Sequence, residues 1–280
     1  MSVVALAGVT GAPGVTTTAL ALLRTWPLEA GRRMLLAECD PDGGAVLAGA
    51  LEGRLPADRG LRNVQAAART QEFGDALWTQ MIGLSDDDEA ADEGRRLLLP
   101  GLTDPAQAVN MASAWGPLSS AFGDLHGQGV DVLVDLGRSG AFGPSSVLAL
   151  QADLVLMVVR GTMRSVDAAK VRLASLRRAM EGSAGRGVRR LGVLLIAQGP
   201  YGAREVSLAV DSPVLATLPW RPADAEVLSD GAPEGRHFRR SELMRAAASA
   251  CLPLRQQMLF QPERVPSGID RLRGVIDGAR

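Results

Sequence analysis

A strand, a glycine loop, a hydroxyl cluster and a helix follow one another without a break at the start of this chain. The apolar run Val3 to Ala7 leads into Gly8-Val9-Thr10-Gly11-Ala12-Pro13-Gly14-Val15-Thr16-Thr17-Thr18, which opens directly onto a stretch of Ala and Leu with helical spacing. Backbone N–H groups of such a loop point inward at an anion, the helix N-terminus adds about half a positive charge, and a threonine hydroxyl at the helix start can ligate Mg²⁺. Pro13 removes one of those donors. The same turn also suits a dinucleotide-binding Rossmann unit, for which Glu38 would be the acid that holds the ribose.

Six further aliphatic runs follow, at Met34 to Glu38, Leu97 to Leu99, Val132 to Leu136, Leu154 to Val159, Gly192 to Ala197 and Val214 to Leu218. Several are apolar at consecutive positions, as strands buried on both faces are. Helical spacing of Leu, Val, Met and Ala covers Thr16 to Leu28, Ala106 to Leu125, Ser165 to Met180 and Arg239 to Leu252. The alternation predicts an α/β fold, doubly wound, with a mostly parallel sheet of about seven strands and helices on both faces. We expect one domain over residues 1–260 and a tail over 261–280 that follows Pro262 and carries a short amphipathic stretch. The acidic run Asp86 to Asp92 reads as a solvated loop, because clustered like charges stay in water.

Two more motifs weigh phosphates against nicotinamide. Glu38-Cys39-Asp40-Pro41-Asp42-Gly43-Gly44 puts two acids after the second strand, where a Rossmann unit needs one. Asp131-Val132-Leu133-Val134-Asp135-Leu136-Gly137 is an apolar strand ending in a carboxylate, the arrangement by which a P-loop protein holds the water shell of its magnesium ion. Together with the glycine loop they favour phosphates.

These segments resemble the ParA/MinD group of P-loop ATPases, including its divergent TadZ/CpaE-like members. Thr10 to Thr17 aligns with the family's deviant Walker A loop, Glu38 to Gly43 with its switch segment, and Asp131 to Gly137 with its Walker B strand. The stretch from Ala152 is similar to a late strand and helix of the family, and that from Pro213 to its base-binding loop. The resemblance implies a P-loop NTPase fold of the SIMIBI type. It assigns nucleotide contacts to Gly11, Ala12, Pro13, Gly14, Val15, Thr16, Thr17, Gln198 and Pro219, magnesium to Thr16 and Asp135, and the attacking water to Asp40. Mg-ATP is the implied cofactor, and a homodimer that recruits a protein partner, in pilus or secretion machinery or chromosome partitioning, is the implied mode of action.

The departures matter as much. Thr10 and Val15 stand where the family has its two Walker A lysines. Each lysine would make charge-assisted bonds worth about 1.5 to 3 kcal/mol. Their loss predicts nucleotide affinity lower by roughly two to four orders of magnitude, and slow or absent ATP hydrolysis. Lys170 is the only lysine of the chain, and Arg138 and Arg160, at strand ends, are the nearest candidates to replace the missing charge.

Composition narrows the partners. With 30 basic and 31 acidic side chains the formal net charge is -1, so no global attraction draws the chain to nucleic acid or anionic lipid. The local cluster Arg236, Arg239, Arg240 and Arg245 leaves non-specific DNA contact open, while the charge balance of the tail disfavours a membrane surface. Two distant cysteines, Cys39 and Cys251, and the absence of a long apolar run lead us to expect a cytoplasmic protein. His126 and His237 lack ligand spacing, and Ser139 lacks the setting of a nucleophile turn. Trp26, Trp78 and Trp115 read as packing residues, with Trp220 beside the base site.

Overall fold

Why the strand runs are apolar at every position is plain from where their alternate residues go. In a computed structural model, which describes residues 3–11, 14–55, 58–67, 73–84, 95–181 and 190–259, β1 (Val3–Gly8) sends Val3, Ala5 and Ala7 into one hydrophobic core and Val4 and Leu6 into a second. The same alternation runs through β5 (Val130–Asp135), with Val130, Val132 and Val134 on one face and Leu133 on the other, and through β6 (Leu154–Arg160). A period of two with both phases apolar is the signature of a sheet covered twice.

The remaining strands are β2 (Arg33–Glu38), β3 (Ile82–Leu84), β4 (Arg96–Leu99), β7 (Leu191–Ala197) and β8 (Val214–Pro219), and the order across the sheet is β3-β4-β2-β5-β1-β6-β7-β8. Every pairing is parallel except β3 with β4. The expected doubly wound sheet is present, with β3 as an eighth strand that sequence pattern does not reveal. It is three residues long, contains Gly83, and is only partly buried.

One core is sealed by α4 (Trp115–Leu125), α5 (Ser146–Gln151), α6 (Met163–Glu181) and α7 (Ala203–Val210), with α2 (Leu61–Ala67) and α3 (Phe73–Gln80) at its edge. The other is sealed by α1 (Val15–Thr25), α8 (Pro222–Ser229) and α9 (Glu242–Leu259). Prolines set several boundaries that periodicity misplaces. Pro27 forces Trp26 into an extended conformation, so α1 ends at Thr25, short of Leu28. Pro117 has no N–H to offer a preceding carbonyl, so it sits in the first turn of α4; the residues before it, Pro105–Ser113, form a 3₁₀ helix instead of one long α-helix from Ala106. By contrast α9 runs through Pro253 and continues past Leu252.

The strand order overturns the Rossmann alternative. In that fold the first two strands are neighbours; here β5 lies between β1 and β2, pairing with both. The acidic run at 86–92 and the tail from 261 lie outside the described residues. Among the described residues no helix is long and apolar enough to cross a membrane.

Candidate nucleotide site

Sheet order fixes the site. β1 is flanked by β5 and β6; the chain leaves β1 toward β2 on one side and leaves β5 toward β6 on the other, so a crevice opens at the carboxyl ends of these strands, where α/β sheets bind ligands. The glycine loop lies there. Gly14 adopts a left-handed conformation (φ 111°) that lets the loop turn into α1. No side chain caps the first turn of α1 and no acidic residue lies in it, so its N–H groups and the positive end of its dipole are left for an external anion. Ala12 and Pro13 lie outside the described residues.

Asp135 ends β5 in the buried floor of this crevice, 2 % exposed. Its carboxylate accepts a hydrogen bond from the Thr16 hydroxyl and one from the Gly137 N–H (2.8 Å). Burial nevertheless pushes its pKa up to about 6 from the ordinary 3.8, with the nearby charge of Glu38 adding to the effect. The hydroxyl and the carboxylate thus meet, and both are the hard oxygen donors that Mg²⁺ prefers.

Asp40 follows β2 and faces the same floor. Its carboxylate accepts from the N–H of Asp42 (2.9 Å) and fills the space over Gly137 that any Cβ would need; Gly137 itself has φ 54°. Burial, then the charges of Asp135 and Asp42, raise the Asp40 pKa to about 6 against the opposing effects of the Asp42 N–H and Arg138. Two carboxylates whose pKa values burial raises to about 6, on adjacent strand ends, suit a site completed by a cation.

Glu38 does something different. It is 2 % exposed, and its carboxylate accepts from the N–H groups of Ala45 (2.7 Å), Val46 (2.9 Å) and Gly101 (3.2 Å). Desolvation raises its pKa in spite of those three bonds. It ties the loop after β2 to the loop after β4 and is buried in doing so, which removes the second support for a Rossmann cofactor.

Val15 is 6 % exposed and packs into the core between α1 and the sheet, so the position of the P-loop lysine is apolar and inward. Thr10 is exposed. Positive charge reaches the loop from elsewhere. Arg164 lies alongside Gly11, its aliphatic stem 3.3 Å from where a side chain on that glycine would begin. Arg172 donates to the Gly8 carbonyl (3.1 Å) and to that of Arg138, and packs over the Phe142 ring. Sequence reasoning missed both. They stand eight positions apart on α6, on the side turned toward the loop, a placement that only the packing of α6 discloses.

Beside the loop lies a cavity of about 190 Å³ between Gly14, Thr17, Arg160, Pro219, Trp220 and Leu243. Gln198, one residue beyond β7, is not in its lining, although its Oε1 is buried without a partner among the described residues. The basic cluster Arg236, Arg239, Arg240 and Arg245 is exposed at the start of α9, with Arg239 paired to Glu234 (3.5 Å). His126 lies at the opposite end of the sheet against Arg32 and Asp131. Trp26 and Trp115 are buried, and Trp78 is half-buried with its indole N–H on Gln128 (2.9 Å).

By sequence the chain matches no family model and no curated relative. By structure it does. A ParA family ATPase from Chlorobium tepidum TLS superposes with a TM-score of 0.69 over 90 % of this chain and 98 % of its own, at 16 % identity. The septum site-determining protein MinD from Pyrococcus horikoshii OT3, complexed with Mg-ADP, gives 0.63 over 89 % and 94 % at 18 % identity. A MinC:MinD cell division protein complex from Aquifex aeolicus gives 0.60 over 95 % and 99 % at 14 % identity. The chain has the fold of the ParA/MinD ATPases. On that ParA/MinD frame the glycine loop, Thr16, Asp135 and Asp40 occupy one crevice, and Val15 turns into the core and brings it no charge.

Proposed function

We propose that this chain is a ParA/MinD-type positioning or assembly factor that binds a Mg-nucleotide weakly, turns it over slowly or not at all, and acts by dimerising and recruiting a protein partner. One observation carries the reading: the Thr16 hydroxyl is bonded to the buried Asp135 carboxylate directly beneath a glycine loop whose lysine position is apolar. Metal ligands are kept and the phosphate-facing ammonium is gone. Thr16 and Asp135 would hold the ion, directly or through its water shell, and Asp40 would orient water. The bound Mg²⁺ would supply charge to the phosphates that Val15 cannot.

Fold likeness to a Mg-ADP complex of MinD and to a MinC:MinD complex supports nucleotide use and partner binding as the mode of action. The setting, in pilus or secretion machinery or in partitioning, is part of the same proposal. Without a lysine to bridge protomers, the dimer is constitutive or partner-driven.

Calorimetry with Mg-ADP tests the site. We expect binding in the high micromolar to millimolar range that disappears in Thr16→Ala; binding unchanged by that substitution would remove the proposal. A second reading has its own support in Arg138, Arg164 and Arg172 around the loop, which suit a slow but genuine ATPase. Turnover at millimolar Mg-ATP that Asp40→Ala abolishes would decide for it.

A further inference from the structure

The cavity beside the loop contains an arginine with nothing to bind. Arg160 ends β6, and its guanidinium lies 4.2 Å from the centre of the Trp220 ring. No hydrogen bond or ion pair joins that guanidinium to any described residue, and its Nε is buried and unpartnered. The contrast with its neighbour is sharp: Arg221, in the same lining, is bound by the Glu242 carboxylate (2.7 Å at Nε). Burial lowers the Arg160 pKa from its ordinary value, but a guanidinium remains charged. Burial closes the Nε to any ligand, but the two terminal nitrogens, equally without a partner among the described residues, keep accessible surface and are free for an acceptor from outside.

The acceptor is identified by place and by chemistry. Gly14 and Thr17 belong both to the cavity wall and to the loop and first turn that would hold phosphates, so one nucleotide spans the two and puts its base in the cavity. A space of about 190 Å³ is below the range of whole-ligand pockets and suits a base. Trp220, 38 % exposed, offers an aromatic face. What distinguishes the purines there is the edge they turn to Arg160. Guanine presents two acceptors, O6 and N7, which match the donor fork of a guanidinium; adenine presents one acceptor and an amino group that opposes a donor. A side-chain amide, which both donates and accepts, would read adenine, but Gln198 is not in this wall.

We propose that this cavity is a nucleobase site that selects guanine over adenine, with Arg160 reading O6 and N7 and Trp220 fixing the guanidinium. The proposal rests on the nucleotide reading above and adds to it the identity of the base. Calorimetry of the full chain with Mg-GDP and Mg-ADP, alongside quenching of tryptophan fluorescence that is lost in Trp220→Phe, provides the test. We expect GDP to bind roughly tenfold or more tighter than ADP, and Arg160→Met to abolish that preference mainly by weakening GDP. Arg160→Lys, which keeps the charge and loses the fork, should also lose most of it.

Equal affinities, or a preference for ADP, overturn the guanine assignment and leave the nucleotide site standing. So does a loss in Arg160→Met that is the same for both nucleotides, since the arginine would then be serving phosphates. If neither nucleotide binds at millimolar concentration, the guanine assignment and the nucleotide reading fall together.

Discussion

Asp135→Asn should change how stability depends on pH, by an amount that the geometry sets. The carboxyl is 2 % exposed and titrates near 6 in the folded chain, against 3.8 when exposed to water. A raised carboxyl pKa means that the folded state binds the proton more tightly, so this group favours folding at low pH and that contribution is lost as pH rises through 6. Between pH 7.5 and pH 5 the folded carboxyl gains about one decade of protonation and the unfolded one almost none. That corresponds to about 1.4 kcal/mol of added stability at pH 5 from Asp135 alone. Asparagine keeps an oxygen for the Gly137 N–H and the Thr16 hydroxyl but does not titrate. Urea unfolding of both proteins at the two pH values, without divalent cation, isolates the effect as a double difference. The wild type should gain about 1.4 kcal/mol more than the variant on going to pH 5, and the variant should be the more stable of the two at pH 7.5. Parallel pH profiles would show that Asp135 is ionised throughout and that the argument from burial is wrong. Adding Mg-nucleotide at pH 7.5 should narrow the gap, because a cation stabilises the charged form of the wild type only.

Two further substitutions test the scaffold around that carboxylate. Glu38→Ala orphans the buried N–H groups of Ala45, Val46 and Gly101 and should cost about 3 kcal/mol or more, read as a fall in the urea midpoint, whereas Glu38→Gln, which keeps one oxygen for two of them, should cost less than half of that. A stability unchanged in both would deny the strut role. Gly137→Ala puts a methyl where the Asp40 carboxylate lies and a side chain at φ 54°, so we expect a loss of about 1 to 2 kcal/mol and Mg-ADP affinity reduced as far as in Asp40→Ala; wild-type affinity in the alanine variant would show that Asp40 does not depend on this contact.

What the sequence discloses about this molecule follows from how local each determinant is. The strands of the central sheet are legible because alternate residues of each feed a separate apolar core, which leaves uninterrupted aliphatic runs. Thr16 is legible because it opens a helix directly after a glycine loop, and Asp135 because it ends such a run two residues before a glycine. β3 is hidden by its length, and the break before α4 by the fact that Ala and Met space themselves equally well in a 3₁₀ helix. The base side is half legible, since Pro219 and Trp220 fall in the stretch that resembles a base-binding loop, but the pairing of Trp220 with Arg160 is not. Arg160 and Trp220 are 60 positions apart, on strand ends that meet only because β7 lies between β6 and β8, and nothing near either residue announces the other.

That distance bears on how a phosphate loop can survive the loss of its lysine. A lysine inside the loop is a compact point charge that serves any nucleotide alike, since every one carries the same phosphates. Charge brought from β6 and α6 instead arrives as arginine, whose planar fork is particular about the acceptor it meets. Arg164 and Arg172 stand on the loop side, where they can offset part of the missing charge, while Arg160 stands on the base side, where it cannot. On the nucleotide and guanine proposals made above, moving the cations off the loop would exchange affinity common to all nucleotides for discrimination among them. A site that had merely decayed would show equal affinities for GDP and ADP in the wild type, whereas a guanine reader would show a preference that Arg160→Met removes, so the wild-type ratio set against that of the variant measures which of the two the site is.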